Sequence, residues 1–395
     1  MRKLYYISLE NYPSRYSHQL FLWNEMVFKR RGVDYEIING DMLTTDTNIV
    51  NGSVLDCHQR SYYSLSQMMK LVKLLKEGKI TKDDVIFFED MTTMGLESLP
   101  YIFDQTPKKY RPKVFTRLLA NVPDPDDFLW RNGSADWARK FESMVDEFVD
   151  GILVANEELV AHCKIAGFKA PIYVTGLPFG KDEVRSRVDI VRPVPNRTKR
   201  VGFAARFDDE KQPEFYMKLA QEYYKTNPDV EFAVFCGHPK LKSNNKAHLE
   251  FAKYLENSGT ANFKVYTGLQ KNDYYELLAD SWVLFNCAKQ DWWSNTISEM
   301  GALGGLALYP AYRSFPETFA NNHKMLYVPW SMDDAIEKLQ KMFYEPAKYD
   351  LTPLVDYADK AIDRTIDIFE GNGEEWARNT LDYRKHVAIP KYSWK

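Results

Sequence analysis

The sequence predicts an α/β protein of two Rossmann-like, doubly wound domains facing a cleft, with C-terminal helices packing back on the first domain. Three observations carry this expectation. Short β-branched or aromatic runs alternate with amphipathic stretches in two successive series, the pattern of a parallel sheet covered by helices. Between the series, Val188 to Arg200 (VDIVRPVPNRTKR) combines two prolines, clustered charge and no periodicity, as a linker does. The 395 residues also amount to about two average domains. The expected units are residues 1–190, residues 197–345 and a returning tail, 346–395.

In the first series, strands are expected at Lys3 to Ser8, Tyr35 to Ile38, Asp84 to Phe88, Lys113 to Thr116, Gly151 to Val154 and Ile172 to Val174. Between the first two, SHQLFLWNEMVFKRRG reads as a helix opened by Ser17 and closed by Gly32, with Lys29, Arg30 and Arg31 at its negative C-terminal end. The second series places strands at Arg200 to Ala204, Glu231 to Cys236, Phe263 to Tyr266, Val283 to Asn286 and Leu306 to Tyr309, each followed by a helical pattern. From about Tyr349 the pattern is again helical, and WARNTLDYRKH is expected to cross back over the first domain.

Composition narrows the class without choosing a function. A 45% hydrophobic, 27% charged, 14% aromatic chain is not disordered. Fifty-two basic against 55 acidic residues leave a net charge of -3, so no global basic excess holds a polyanion. The N-terminal apolar run is broken by Glu10, Asn11 and Arg15, too early for a membrane span or signal peptide, and a cytoplasmic protein is expected (host cytoplasm if viral). Cys57, Cys163, Cys236 and Cys287 form no CxxC pair and are expected to be reduced, with Cys236 and Cys287 in the core.

Ligands of an open parallel sheet bind beyond the carboxyl ends of the strands, so the residues after each run are the informative ones. After the first strand of the second series comes GFAARFDDEKQPEF, where Arg206 and Lys211 lead into a helix start. Two cations beside free backbone N–H groups suit a diphosphate. The competing reading is a solvated loop paired with Asp208, Asp209 and Glu210. After the fourth strand comes NCAKQDWWSNTISEMGALGGLALYP, in which Asp291, Ser294, Asn295 and Thr296 run into a helix carrying Glu299, and Gly301, Gly304 and Gly305 permit close packing or chain reversal. Two carboxylates so placed can each accept two hydroxyl hydrogen bonds from a sugar or ribose. Singly, each is equally a surface acid.

Together the two loops resemble the C-terminal domain of GT-B glycosyltransferases, in particular retaining family four, which includes glycogen-synthase-like enzymes. The resemblance runs from about Lys199 to Leu339. It implies that Arg206 and Lys211 contact the donor diphosphate. Asp291 and Glu299 match the family's Glu-x-seven-Glu motif, whose first carboxylate contacts the transferred sugar and whose second binds the donor ribose. Thr267, Gly268 and Leu269 would lie near the nucleobase, and Gly237, Ser294, Asn295 and Thr296 beside the donor. The implied reaction moves a hexosyl or pentosyl group from a nucleotide-sugar, UDP-sugar foremost, to a hydroxyl acceptor. It is expected to be retaining, with no cofactor and no bound metal. The leaving phosphate then takes the acceptor proton.

Three departures from the family pattern are legible. Asp291 is one methylene shorter than the usual Glu, and Trp292 and Trp293 stand where small residues are usual. The glycine-rich turn after the first strand is replaced by ENYPSRYSH, which leaves phosphate contacts on that side to Arg15 or to backbone near Ser14. The family's His near the reacting carbon has no match in VFTRLLANVPDPDD. An inverting enzyme would need a carboxylate base, for which Glu89, Asp90 and Asp124 are candidates, though each also reads as structural. Asp124-Pro125-Asp126 spells a metal-binding DxD but is also an ordinary turn.

The acceptor is expected on the first domain, with Arg15, His18, Lys109, Arg111, Arg117 and Arg131 as candidate contacts. Basic residues interleaved with aromatics from Lys108 to Lys140 suit a phosphate-bearing or nucleic-acid acceptor, or equally a solvated surface. Three readings remain open. The first is a sugar transferase acting on a glycan or small molecule. The second resembles phage DNA glycosyltransferases and acts on 5-hydroxymethylated bases in duplex DNA, which requires base flipping. The third is an inactive nucleotide-sugar binding scaffold.

Overall fold

A computed structural model describes residues 1–378 apart from 13–14, 44–55, 105, 125–126 and 132. Its two sheets realise the two series. The first contains β1 (Leu4–Ile7), β2 (Tyr35–Ile38), β3 (Val85–Phe88), β4 (Lys113–Arg117), β5 (Gly151–Val154) and β6 (Ile172–Val174). The second contains β7 (Thr198–Phe203), β8 (Glu231–Phe235), β9 (Phe263–Tyr266), β10 (Ser281–Phe285), β11 (Leu306–Pro310) and β12 (Leu326–Tyr327). A last strand, β13 (Ala377–Arg378), returns from the tail to pair antiparallel with β6. Every other pairing is parallel. Central strands such as VIFF in β3 and SWVLF in β10 are buried along their whole length, because helices cover both faces of a parallel sheet.

Strand order locates the ligand crevices. The first sheet runs β13-β6-β5-β4-β3-β1-β2 and the second β12-β11-β10-β7-β8-β9. The chain reverses direction between β1 and β3 in one sheet and between β7 and β10 in the other. A crevice opens at the carboxyl edge of each such switch point.

The expected first helix spans Tyr16–Arg30, with Ser17 inside it donating to the Glu10 carbonyl at 2.6 Å instead of capping it. Gly32 ends it with φ at +64°. Arg30 and Arg31 pair with Asp363, and Arg31 also with Asp367 at 2.7 Å, which docks the helix Ala361–Glu370 onto the first domain. Phe369 of that helix packs on Phe87 and Phe115, with ring centroids at 5.1 and 4.9 Å. The preceding helix, Thr352–Asp359, lies instead against Asn295–Ala302 of the second domain. There a Cβ on Gly301 would stand 2.6 Å from Val355 Cγ2, so only glycine admits the approach.

The helical expectation for the tail fails at Gly371, whose φ of +90° ends the helix. Trp376 closes a single 3-10 turn, and Ala377 and Arg378 form β13; the rest of WARNTLDYRKH lies outside the described residues. Cys163 and Cys287 are buried, Cys236 half-buried and Cys57 exposed. Cys236 therefore lies at the rim of the core, just past the end of β8. No helix among the described residues is long and apolar enough to cross a membrane.

Candidate functional site

The switch point of the second sheet brings together the loops after β7 and β10. Lys211 ends the 3-10 turn Asp209–Lys211, and Gln212 then adopts φ +52° before Pro213 opens the next helix. A residue before proline is rarely in that region, and the kink turns the lysine inward. Cys287 helps hold the turn, its Sγ donating to the Lys211 and Gln212 carbonyls at 3.3 and 3.2 Å. Lys211 is buried, with Nζ donating to the Gln290 carbonyl at 2.6 Å and lying 3.5 Å from Asp291 Oδ2. Arg206 stays exposed and pairs with Glu210 at 2.7 Å. The solvated-loop reading thus describes part of Arg206's surroundings, while Lys211 departs from it.

Glu299 lies inside the helix Asn295–Ala302 and is buried. Its Oε1 accepts from Lys271 Nζ at 2.8 Å and Tyr275 Oη at 3.0 Å, and its Oε2 from Tyr274 Oη at 2.8 Å. All three donors sit on one face of the helix Lys271–Asp280, at positions i, i+3 and i+4. Burial beside the Glu299 charge pushes both tyrosine hydroxyls above their ordinary range, so they remain donors. Gln19, from the first domain, donates to Tyr275 Oη at 2.9 Å and carries the network across the cleft.

The rest of the predicted donor set lies in the loops after β8 and β9 and at the start of the Asn295–Ala302 helix. Gly268, at φ +70°, donates to the His238 carbonyl at 2.8 Å, and Leu269 to the Cys236 carbonyl at 3.2 Å, which joins the loops after β8 and β9. Gly237 and Thr267 lie exposed on the rim of those loops. Ser294 and Thr296 are tied to each other at 2.8 Å, and Ser294 to Tyr309 Oη at 2.8 Å. No side chain caps the Asn295–Ala302 helix, and Asn295 Oδ1 is buried without a partner. Trp292 and Trp293 are both buried, Trp292 between the domains and Trp293 against Tyr357 at 6.0 Å.

On the first domain several expectations are corrected. Arg117 has no surface to offer an acceptor: its side chain is 1% exposed, 3.2 Å from Glu89, inside the sheet layer. Glu89, a candidate base, is likewise buried, accepting from Tyr6 Oη at 2.8 Å and Asn24 Nδ2 at 2.9 Å. Burial raises its carboxyl, against the pull of Arg117. Lys109 and Arg111 precede β4, at the amino edge of the sheet and away from the crevice, where Lys108 pairs with Asp150 at 3.1 Å. Asp90 is held by Arg60 at 2.9 Å, and Arg60 also by Glu10 at 2.5 Å, in a closed buried cluster. Asp124 is buried against Arg313 at 3.1 Å. Pro125 and Asp126 lie outside the described residues, as does the side chain of Arg131.

Arg15 and His18 remain at the cleft, at the start of the first helix. Arg15 lies over the Tyr12 ring at 5.5 Å and has no carboxylate partner among the described residues. His18 pairs with Asn11 at 2.5 Å, and burial, followed by Arg187, lowers its pKa. Sequence reasoning missed Gln19, Lys271, Tyr274, Tyr275, Asn156, Asp127 and Arg313. Only KNDYYELL, with its one-faced Lys and Tyr spacing, offered a signal for any of them.

No protein family profile matches the chain, and no curated protein sequence does. Solved structures do. The chain has the GT-B fold, two Rossmann-like domains facing a cleft, as expected from the sequence. Sucrose-phosphate synthase from Thermosynechococcus elongatus superposes with a TM-score of 0.62 at 12% identity, covering 95% of this chain and 98% of that one. Trehalose-6-phosphate synthase OtsA gives 0.60 at 11%, covering 93% and 99%. HepE of Anabaena, solved with UDP and glucose, gives 0.56 at 10%, covering 95% and 98%.

Proposed function

We propose that the chain is a glycosyltransferase that moves a sugar from a UDP-sugar to a hydroxyl acceptor, with retention and without a bound metal. The observation that carries this reading is the approach of Lys211 to Asp291 at the switch point of a GT-B fold, with Glu299 on the helix that follows the same loop. HepE, of like fold, was solved with UDP and glucose. Lys211, Arg206 and the uncapped helix start offer positive charge and N–H donors to a diphosphate, the developing charge of the leaving group. Glu299 accepts the ribose hydroxyls and Asp291 the transferred sugar. The departing phosphate oxygen takes the acceptor proton, so no protein base is required. The reading as a DNA transferase is not favoured, because Lys109, Arg111 and Arg117 do not line the crevice.

The test is a thermal-shift panel of UDP, GDP, ADP and CDP, followed by transfer from labelled UDP-sugar with and without chelator. UDP is expected to raise the melting temperature, and Arg206→Ala or Glu299→Ala to weaken UDP binding by about tenfold or more. Unchanged binding in both variants would overturn the site. Turnover abolished by chelator would overturn the metal-free reading.

A further inference from the structure

The donor loop is gripped at three successive carbonyls. Gln290 accepts from Lys211 Nζ at 2.6 Å, Asp291 from Ser314 Oγ at 2.8 Å and Trp292 from Asn156 Nδ2 at 2.5 Å. The first two grips come from the second domain's own loops, and the third crosses the cleft. Asn156 is the N-cap of the helix Glu157–Ile165 in the first domain, where its Oδ1 accepts from the Leu159 N–H at 3.0 Å. One amide therefore both starts that helix and holds the loop.

The Trp292 ring is buried in the same joint. Its Nε1 donates to Asp127 Oδ2 at 3.3 Å, the Arg313 guanidinium lies over it at 5.0 Å, and His162 meets it edge-on at 5.2 Å. Arg313, from the second domain, is itself held by the first-domain acids Asp124 at 3.1 Å and Glu158 at 2.7 Å. A buried ring with a desolvated cation on its face makes a firm contact. By contrast, the Asp291 carboxylate has one ionic contact among the described residues, Lys211 at 3.5 Å. Its placement comes from the backbone grips on either side.

We propose that Trp292 is a positioning residue, whose burial against the first domain sets the adjacent Asp291 carboxylate at the transferred sugar only when the two domains are closed. The inference rests on the donor reading above. Misplacing a reacting group by about 1 Å costs roughly a hundredfold in rate, so a ring that fixes the loop acts on turnover more than on nucleotide affinity.

Trp292→Gly is expected to lower kcat by about 10- to 100-fold while UDP affinity stays within about twofold, because Arg206, Lys211 and Glu299 are untouched. Combined with Asp291→Asn, it is expected to cost little beyond Asp291→Asn alone, since residues acting as a unit are non-additive. Asn156→Asp keeps the capping oxygen and removes the cross-cleft donor, so it reports the same split if the glycine variant does not fold. Additive losses, or an equal fall in UDP affinity and kcat, overturn the proposal. If the wild type neither binds UDP nor uses a UDP-sugar, the donor reading fails on its own. The joint is then judged by small-angle scattering, where the glycine or Asn156→Asp variant should show a larger radius of gyration than the wild type, and an unchanged one overturns the proposal.

Discussion

Arg117 and Lys211 show how differently two cations of one sequence are used. Arg117 is the last residue of β4 and is sealed beside Glu89 under the Phe87 ring, while Lys211 lies in the charged loop after β7 and faces the donor loop. A buried ion pair contributes little net stability, but removing one partner strands the other. Arg117→Met is therefore expected to cost about 3–5 kcal/mol in denaturant unfolding. A variant whose stability holds but whose transfer falls would return Arg117 to the acceptor site. Glu299 was identified from its seven-residue spacing to Asp291, but its anchors were not. Lys271, Tyr274 and Tyr275 meet it from another helix, and no linear spacing encodes a contact between helices.

At the scale of elements, glycine and asparagine decide what can approach what. Gly301 lets the helix Thr352–Asp359 lie against Asn295–Ala302, the helix that carries Glu299. Gly301→Ala would place a methyl 2.6 Å from Val355 and 2.9 Å from Leu351. The overpacking is expected to cost about 1–3 kcal/mol, read as a fall in unfolding midpoint, with weaker UDP binding as the helix shifts. All eleven strands expected from the sequence are present within a few residues, because apolar runs flanked by polar turns report burial on two faces. The strands β12 and β13 were not expected. Each is two residues long, too short to carry a period, and exists only because a sheet edge lies beside it.

For the whole molecule, buried acids near the joint between the domains link stability to pH. Burial raises the Glu142 carboxyl to about 8, against the Val122 N–H that it accepts, and raises Asp127 to about 6. Both native values lie above the unfolded ones, so the native state holds more protons than the unfolded state as pH rises. Their stabilising effect is complete below about pH 4 and is lost as pH climbs through about 6 for Asp127 and about 8 for Glu142. The melting temperature is expected to fall from pH 6 to pH 9, and Glu142→Gln to flatten that slope. An unchanged slope in the variant would place the titrating groups elsewhere.

What the sequence determined by itself is local and periodic: the two α/β series and the paired loops after β7 and β10. A strand's apolar run and a motif's spacing are properties of neighbouring residues, and they survive without the fold. The tertiary structure alone decided which edge each cation occupies, so that Lys109 and Arg111 fall at the amino end of the sheet and Arg15 and His18 at the cleft. It alone made Trp292 a joint between domains, through Asn156 and Arg313, which stand 136 residues before it and on a separate loop. Such contacts depend on strand order and burial, and those arise only when distant segments share one low-dielectric interior.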